Sequence, residues 1–170
     1  MEEILKKYSI LKNKNVSRET ILEFENFIFI LKKRNEDINI ISKESAKNIV
    51  IRERHIIDCA QIIDFIDLNS NKITDIGSGG GFPGIIVAII MKNLQSSAKV
   101  YLHEKSHHKS AFLKKVSRDL KLNTEVIQKN IFETQNLVSD TIMARAFKPL
   151  PIVLELVYKT FNNYKNLIIF

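Results

Sequence analysis

The sequence predicts an α/β fold with a doubly wound, mostly parallel sheet, preceded by an N-terminal helical segment. Residues 1–70 carry apolar side chains at helical spacing, whereas after Asn71 short apolar runs alternate with helical stretches of roughly ten to fifteen residues. All five glycines of the chain fall within eight residues, from Gly77 to Gly84. Alternation of strands and helices implies parallel strands joined by right-handed crossovers. We therefore expect a helical segment over residues 1–70, packed on an α/β domain over residues 71–170.

Two helical stretches are predicted in the first part. The first runs over Arg18–Lys33 with Ser17 as its N-cap, because its apolar residues recur at steps of three and four. Those residues are Ile21, Phe24, Phe27, Ile28 and Leu31. The second runs from about Lys47 to Asp67 and ends at a polar turn. Its inward positions are Ile56, Ala60, Ile63 and Ile66.

The second part predicts five strands with three helices between them. The strand candidates are Lys72–Ile76, Lys99–His103, Glu125–Gln128, Thr141–Ala144 and Asn166–Phe170. The helix candidates are Gly84–Asn93, Lys109–Lys121 and Leu150–Asn162. Because Ile85–Met91 is apolar on every side, we expect that helix to be deeply buried.

Composition excludes several classes of protein. A chain of 170 residues with 45% hydrophobic residues can build one core without disulfides. Cys59 is the only cysteine, which favours a reducing compartment. The start Met1-Glu2-Glu3 is unlike a signal peptide, and Ile85–Met91 is too short to span a bilayer. The formal net charge of +7 favours a polyanionic partner, although a general bias toward lysine would produce the same charge.

The glycine cluster follows the first strand, at the edge where open α/β sheets bind ligands. A phosphate-binding P-loop is excluded because Ile85 and Ile86 follow the last glycine where Lys and Ser or Thr are needed. A dinucleotide fingerprint remains possible, since Gly79, Gly81 and Gly84 match its spacing and Glu104 follows at a suitable distance. The third possibility is the acid-x-Gly-x-Gly-x-Gly loop that resembles those of S-adenosylmethionine-dependent methyltransferases. It is matched by Asp75, Gly77, Gly79 and Gly81.

We expect the Asp75 carboxylate to face the ligand and decide between these possibilities. It would repel a pyrophosphate and tolerate the cationic methionine end of S-adenosylmethionine. Glu104 can accept hydrogen bonds from both ribose hydroxyls in either case, so it does not discriminate.

Several strings occur together in a fixed order around this loop. They are Lys33-Arg34-Asn35, Asn39-Ile40-Ile41-Ser42, Arg54-His55-Ile56-Ile57-Asp58-Cys59, Ala111-Phe112-Leu113-Lys114 and Ala144-Arg145-Ala146-Phe147. With the loop and its continuation Phe82-Pro83-Gly84, the chain from about residue 20 onward resembles the bacterial small-subunit ribosomal RNA guanine-N7 methyltransferase family. An older name of that family is glucose-inhibited division protein B.

The resemblance implies a Rossmann-like, cytoplasmic enzyme that transfers a methyl group from S-adenosylmethionine to N7 of a guanine in 16S ribosomal RNA. It implies cofactor contacts at Gly77, Gly79, Phe82, Glu104, Ile131, Phe132 and Arg145. The main chain near Ile131 and Phe132 would receive the adenine. Sheets of this family continue with a helix and two more strands, so we expect the C-terminal strands to be missing here. We expect no membrane partner, no metal and a monomeric state.

The remaining candidate residues have less specific interpretations. The sequence assigns no catalytic residue, and N7 methylation needs no general base because N7 carries a free lone pair. His55 and Asp58 share a helix face and Arg54 can pair with Asp58, which predicts either a structural pair or a wall of the target-base site. His103, His107 and His108 are expected on the surface, and Cys59 in the core. Two alternative functions remain, a non-enzymatic RNA-binding or assembly protein and a dinucleotide-dependent oxidoreductase.

Overall fold

Five parallel strands organise this computed structural model, which describes residues 6, 8–11, 16–47 and 50–170. With two short strands of a second sheet, the described residues form β1 (Lys72–Ile76), β2 (Lys99–His103), β3 (Thr124–Ile127), β4 (Leu137–Val138), β5 (Thr141–Ala144), β6 (Phe161–Asn163) and β7 (Asn166–Ile169). The main sheet has the order β3-β2-β1-β5-β7, and β4 pairs with β6 beside it. All four pairings of the main sheet are parallel, which confirms the predicted fold class.

Helices cover both faces of the sheet. They are α1 (Arg18–Asp37), α2 (Asp58–Gln61), α3 (Gly84–Asn93), α4 (His107–Asp119) and α5 (Leu150–Thr160). The predicted N-cap is confirmed, because the Ser17 hydroxyl accepts a hydrogen bond from the Thr20 N–H at 3.2 Å. Every residue of α3 from Gly84 to Met91 is buried, as its sequence predicts. None of the helices in the described ranges is both long and apolar enough to cross a membrane.

The second helical stretch differs from its prediction. The described part is not one regular helix but π-helical turns over Ile51–Ile57, then α2, then a 3₁₀ turn over Ile62–Phe65. Lys47 lies in a turn, and residues 48 and 49, like the acidic start at residues 1–3, lie outside the described residues. The predicted inward positions are all buried. The apolar pattern therefore predicted which side chains are buried, but not that the stretch changes from π-helical to α-helical to 3₁₀ turns.

Several helix ends also differ. α1 continues to Asp37, beyond the predicted Lys33, and α4 ends at Asp119, before the predicted Lys121. α4 begins at His107, two residues before its predicted start, because the Ser106 hydroxyl accepts the N–H of Lys109 and caps the helix. α5 ends at Thr160, because Phe161 is extended and begins β6. β6 places Phe161 in the core beside Val157, which the helical interpretation of Leu150–Asn162 did not anticipate.

The sheet separates two apolar clusters. One contains α1, the second helical stretch, α3 and α4, and includes Ile73 of β1. The other contains α5 and includes Ile76 of β1. Since side chains alternate along a strand, Asp75 lies on the same face as Ile73, beneath α3. Because the first cluster includes side chains from before and after residue 70, the helices pack directly on the sheet. The division into two domains stays a prediction.

Candidate functional site

One cavity of about 630 Å³ opens at the carboxyl ends of the central strands. Its walls come from the loops after β1, β2, β3 and β5, and from the π-helical turns. All seven residues predicted as cofactor contacts line it: Gly77, Gly79, Phe82, Glu104, Ile131, Phe132 and Arg145. The fold therefore brings together residues up to 68 positions apart in sequence, from 77 to 145.

The glycine loop owes its shape to positive φ angles and to backbone hydrogen bonds. Gly77 has φ +73° and Gly79 has φ +54°, a region that glycine adopts without strain. The N–H groups of Gly77 and Ser78 donate to the carbonyl of His103 at 2.9 and 3.0 Å. A Cβ at Gly79 would contact only the Gly77 carbonyl oxygen, at 3.7 Å, so the bare backbone there leaves room in the cavity.

Other glycines of the loop allow close packing against its neighbours. A Cβ at Gly77 would lie 2.2 Å from the Phe147 ring, and one at Gly80 would lie 2.8 Å from Ile41. Ile41 is fixed in turn by Asn35, whose side-chain oxygen accepts the N–H groups of Ile40 and Ile41 at 2.8 and 2.9 Å. The sequence segments that contain Asn35 and Ile41 therefore pack against the glycine loop at Gly80.

Glu104 is the only carboxylate among the described residues that line the cavity. Its Oε2 accepts the N–H of Gly79 at 2.9 Å, and its Oε1 accepts the N–H of Ser106 at 2.8 Å. Each oxygen keeps a further lone pair, because a carboxylate can accept about four hydrogen bonds. Glu104 is thus held in place by the backbone while its carboxylate can still accept hydrogen bonds from a ligand.

The expectation for Asp75 is wrong. Its side chain is 0% exposed and does not line the cavity, because it points beneath α3. Oδ2 accepts the N–H of Gly84 at 3.0 Å, whereas Oδ1 has no hydrogen-bond partner among the described residues. Burial raises the pKa of Asp75 to about 7. Asp75 therefore joins the loop to the start of α3 and cannot select the ligand by direct repulsion.

The expectation for the histidines is wrong at one position. His107 and His108 are exposed as predicted, but His103 is 3% exposed and is one of the residues that line the cavity. Burial lowers the pKa of His103 to about 4, so the ring is neutral at physiological pH. It is the last residue of β2, where a side chain points into one of the two covered faces of the sheet.

Arg145 lines the cavity, but its guanidinium contacts other parts of the protein. Nη1 lies 2.8 Å from Nδ1 of His55 and 3.6 Å from the Cys59 sulfur, and Nη2 donates to the carbonyl oxygen of Arg54. The His55 ring stacks on Phe82 with centroids 4.8 Å apart and planes inclined by 26°. The sequence segments that contain His55 and Arg145 are therefore in contact with each other at one wall of the cavity.

The predicted pairing of Arg54 with Asp58 is absent from the ion pairs of the described residues, and Asp58 is exposed. The His55 ring instead stacks on Phe82, so its helical turn contacts the glycine loop without the predicted pair. Cys59 is fully buried as expected, and burial raises the pKa of its thiol to about 12. It is a core residue and not a nucleophile.

Aromatic and cationic side chains form the outer rim. Phe132 is 48% exposed and stacks on Phe147 with centroids 6.0 Å apart. Four lysines also line the cavity, and none of them is in an ion pair within the described residues. They are Lys105, Lys109, Lys129 and Lys148. Sequence reasoning missed this rim, whose members follow three different strands and share no local pattern.

The described part of the chain contains no cluster of three His, Cys, Asp or Glu side chains placed to hold a metal ion.

Comparison with known proteins gives a consistent result. The family model GidB, described as rRNA small subunit methyltransferase G, matches residues 20–169. The ribosomal RNA small subunit methyltransferase G of Pelagibacter ubique (strain HTCC1062) is 72% identical over 170 residues, which are 100% of this chain and 80% of that protein. The protein of the same name from Cereibacter sphaeroides (strain ATCC 17029) is 34% identical over 143 residues, with 84% of this chain and 68% of that protein covered.

Solved structures share the fold. A crystal structure of coclaurine N-methyltransferase bound to N-methylheliamine and SAH matches with a TM-score of 0.59 and 16% identity, over 98% of this chain and 57% of that one. A putative S-adenosyl-L-methionine-dependent methyltransferase from Methanococcus maripaludis matches with a TM-score of 0.54 and 19% identity, over 76% and 58%. At these identities the similarity concerns the fold alone.

Proposed function

This chain belongs to the GidB family, rRNA small subunit methyltransferase G, and from that membership we propose that it transfers a methyl group from S-adenosylmethionine to N7 of a guanine in 16S ribosomal RNA. The cavity at the carboxyl ends of the strands is the site of the reaction. Six of the predicted contact residues bind the cofactor, namely Gly77, Gly79, Phe82, Glu104, Ile131 and Phe132, whereas the Arg145 guanidinium is bonded to His55 and Arg54.

Glu104 provides the test of whether the cavity fits a nucleoside. A ribose presents two neighbouring hydroxyl donors, and the Glu104 carboxylate has acceptor capacity left after its bonds to Gly79 and Ser106. A Cβ at Gly79 would have one neighbour, the Gly77 carbonyl oxygen at 3.7 Å, so the bare backbone at Gly79 leaves room for the sugar. An acidic residue also holds the ribose in dinucleotide sites, so Glu104 fits a nucleoside without distinguishing the two cofactors. The residues present therefore fit the nucleoside end of the methyl donor.

The observation that carries the proposal is the placement of these residues across the strand ends. Ile131 and Phe132 follow β3, Glu104 follows β2, the glycine loop follows β1 and Arg145 follows β5. Because the sheet order is β3-β2-β1-β5, these groups form a row along one crevice. The row supports an elongated ligand with its adenine near Phe132, its ribose at Glu104 and its methionine end over the glycine loop.

The protein's own contribution to the chemistry is binding and orientation. Bound S-adenosylmethionine supplies an electrophilic methyl group on a sulfonium sulfur. Guanine N7 has an in-plane lone pair and no proton, so the chain needs no general base. Holding the two reacting atoms about 3–3.5 Å apart in line can account for several kcal/mol of the barrier. This agrees with a cavity that has neither a nucleophilic cysteine nor a catalytic triad among its described lining residues.

Ribosomal RNA is the partner that the cavity rim supports. Lys105, Lys109, Lys129 and Lys148 present positive charge around the opening that no carboxylate of the described residues neutralises in an ion pair. Lysines bind RNA phosphates without reading the base, so they would hold the strand while the cavity selects the base. The formal net charge of +7 favours the same polyanion. We infer a cytoplasmic enzyme that acts as a monomer.

The experiment is methyl transfer from tritium-labelled S-adenosylmethionine to bare 16S RNA and to assembled small subunits. We expect transfer to one guanine, with the label at N7 identified by nucleoside analysis of the digested RNA. Calorimetry with S-adenosylhomocysteine and with NADH is the companion measurement. Binding of NADH without binding of S-adenosylhomocysteine would reject the proposal in favour of a dinucleotide enzyme. RNA binding without any transfer would favour a non-enzymatic assembly role.

A further inference from the structure

The contact between Arg145 and His55 joins residues 90 positions apart in the sequence. Arg145 follows β5, and His55 lies in the π-helical turns over Ile51–Ile57. π-helical turns are rare and are frequently found at functional sites. Here these turns present the Arg54 carbonyl oxygen and the His55 ring to one guanidinium.

The chemistry of the two side chains fixes the protonation state of His55. A guanidinium only donates hydrogen bonds, so Nδ1 of His55 must accept with its lone pair. The ring proton is therefore on Nε2, and the imidazole is neutral. Arg145, Arg54 and Asp58 are the charged groups around it. Burial and then Arg145 lower the pKa of His55, and Asp58 opposes them.

The strand order places this pair at one end of the cavity. β2 and β5 flank β1 on opposite sides, so Glu104 and Arg145 lie on opposite sides of the glycine loop. If Glu104 holds the ribose and Phe132 borders the adenine, the sulfonium end of the donor lies toward β5. His55, Phe82 and Arg145 line the cavity on that side.

We propose that Arg145 is a positioning residue: it holds the neutral His55 ring flat against Phe82, and this stacked pair is the wall that aligns the target base with the methyl group. The inference rests on the proposed function. It replaces the expectation that Arg145 is a cofactor contact, because at least two of its donors are directed to His55 and Arg54. Methylation at N7 gives the guanine a positive charge, which a nearby cation would oppose. The Arg145 guanidinium can lie at this end of the cavity because it donates its hydrogen bonds to His55 and Arg54 and not to the guanine.

The test compares Arg145→Lys with Arg118→Lys. Lysine at 145 keeps the charge but cannot present the planar set of donors that reaches both His55 and Arg54. Arg118 is the matched control, because its side chain is 78% exposed on α4 and does not line the cavity. For Arg145→Lys we expect the kcat of RNA methylation to fall tenfold or more, while the Kd for S-adenosylhomocysteine stays within twofold. For Arg118→Lys we expect both to stay within twofold.

A second measurement needs no variant and no activity. Nitrogen-15 NMR of the unchanged protein reports which ring nitrogen of His55 carries the proton, and we expect the Nε2–H form. A proton on Nδ1 would overturn the pairing. A tenfold weaker Kd for S-adenosylhomocysteine in Arg145→Lys, with kcat unchanged at saturating donor, would show instead that Arg145 is a cofactor contact. Absence of methyl transfer by the unchanged protein would reject the proposed function and leave the NMR result to decide the pairing.

Discussion

The carboxylate of Glu104 accepts the backbone N–H of Gly79 with 2.9 Å between Oε2 and N. This bond joins the end of β2 to the loop after β1, so the acidic residue and the bare backbone form one unit. The same carboxylate accepts the N–H of Ser106 at the start of α4. Its geometry is thus fixed before any ligand arrives, which reduces the entropy lost on binding.

The first prediction concerns Glu104→Gln. The amide has one acceptor oxygen, so it cannot serve the N–H groups of Gly79 and Ser106 and two ribose hydroxyls together. Hydrogen bonds to charged groups contribute about 1.5–3 kcal/mol, so we expect affinity for S-adenosylhomocysteine to fall about tenfold to a hundredfold by calorimetry. Glu125→Gln, at an exposed carboxylate of β3 that pairs with Lys99, is the control. Equal affinities of the two variants would refute the role of Glu104.

The second prediction separates two glycines of the loop. In Gly79→Ala the methyl group has space, but φ of +54° costs about 1–2 kcal/mol for an L side chain. We expect a modest fall in thermal stability and a large loss of S-adenosylhomocysteine binding. In Gly84→Ala the new Cβ would lie 2.3 Å from Leu102 and 2.5 Å from the Asp75 carboxylate. Overpacking of this kind costs about 1–3 kcal/mol.

Thermal unfolding and calorimetry on both variants check this contrast. The Gly84→Ala variant is expected to unfold at the lower temperature of the two, although alanine favours a helix more than glycine does. If Gly84→Ala is as stable as the unchanged protein, the close contact with Asp75 is contradicted. If Gly79→Ala binds S-adenosylhomocysteine with unchanged affinity, the place of Gly79 in the cavity is contradicted.

Much of the α/β domain could be predicted from its sequence. β1, β2, β5 and α3 have the predicted bounds, because each is a short apolar run and the glycine loop separates β1 from α3. The second helical stretch could not be predicted in detail. The π, α and 3₁₀ pieces are each shorter than two turns, so their different periods cannot be read from the apolar spacing. The contacts with Arg145 and Phe82 also involve residues distant in sequence.

The polar residues at the strand ends were harder to place. Nearly all positions of the central strands β1 and β5 are buried because both faces of the sheet are covered, so polar side chains there give no alternating pattern. Asp75 and His103 are near or at the ends of β1 and β2, and the sequence does not tell which turns beneath a helix and which borders the crevice. The crossover through α3 decides this for Asp75, since the Gly84 N–H lies within hydrogen-bond distance of its carboxylate.

The third prediction concerns the pH dependence of stability. The pKa of Asp75 is raised from 3.8 to about 7 by burial, so the folded state holds a proton that the unfolded state releases between these values. Stability that Asp75 contributes below about pH 4 is therefore lost as the pH rises toward 7, by at most about 1.4 kcal/mol per pH unit. Asp75→Asn cannot ionise, and its side-chain oxygen can still accept the Gly84 N–H.

The measurement is the unfolding free energy of both proteins in urea between about pH 4.5 and 7.5, the range in which the Asp75 proton distinguishes the two states. We expect the unchanged protein to lose stability relative to Asp75→Asn as the pH rises. His103 acts in the opposite direction, because its pKa is lowered to about 4 and its neutral form becomes costly to keep as the pH falls below 6.5. Since both proteins contain His103, its contribution cancels in the difference. If the free energies of unfolding of the two proteins change in parallel with pH, the pKa of Asp75 is not raised by burial and the prediction is wrong.

The last prediction concerns the cationic rim and RNA. Lys129→Gln and Lys148→Gln each remove one positive charge from the cavity opening. If each lysine neutralises one phosphate of a single strand, the slope of log K against log salt should become shallower by about 0.7 per variant. Affinity for S-adenosylhomocysteine should stay unchanged, because Glu104 and the glycine loop remain. Lys165→Gln is the control, since Lys165 pairs with Asp140 at the amino ends of the strands, away from the cavity. Binding of a 16S RNA fragment measured at several salt concentrations decides the matter: if Lys165→Gln changes the slope as much as Lys129→Gln does, the RNA follows general surface charge and not the cavity rim.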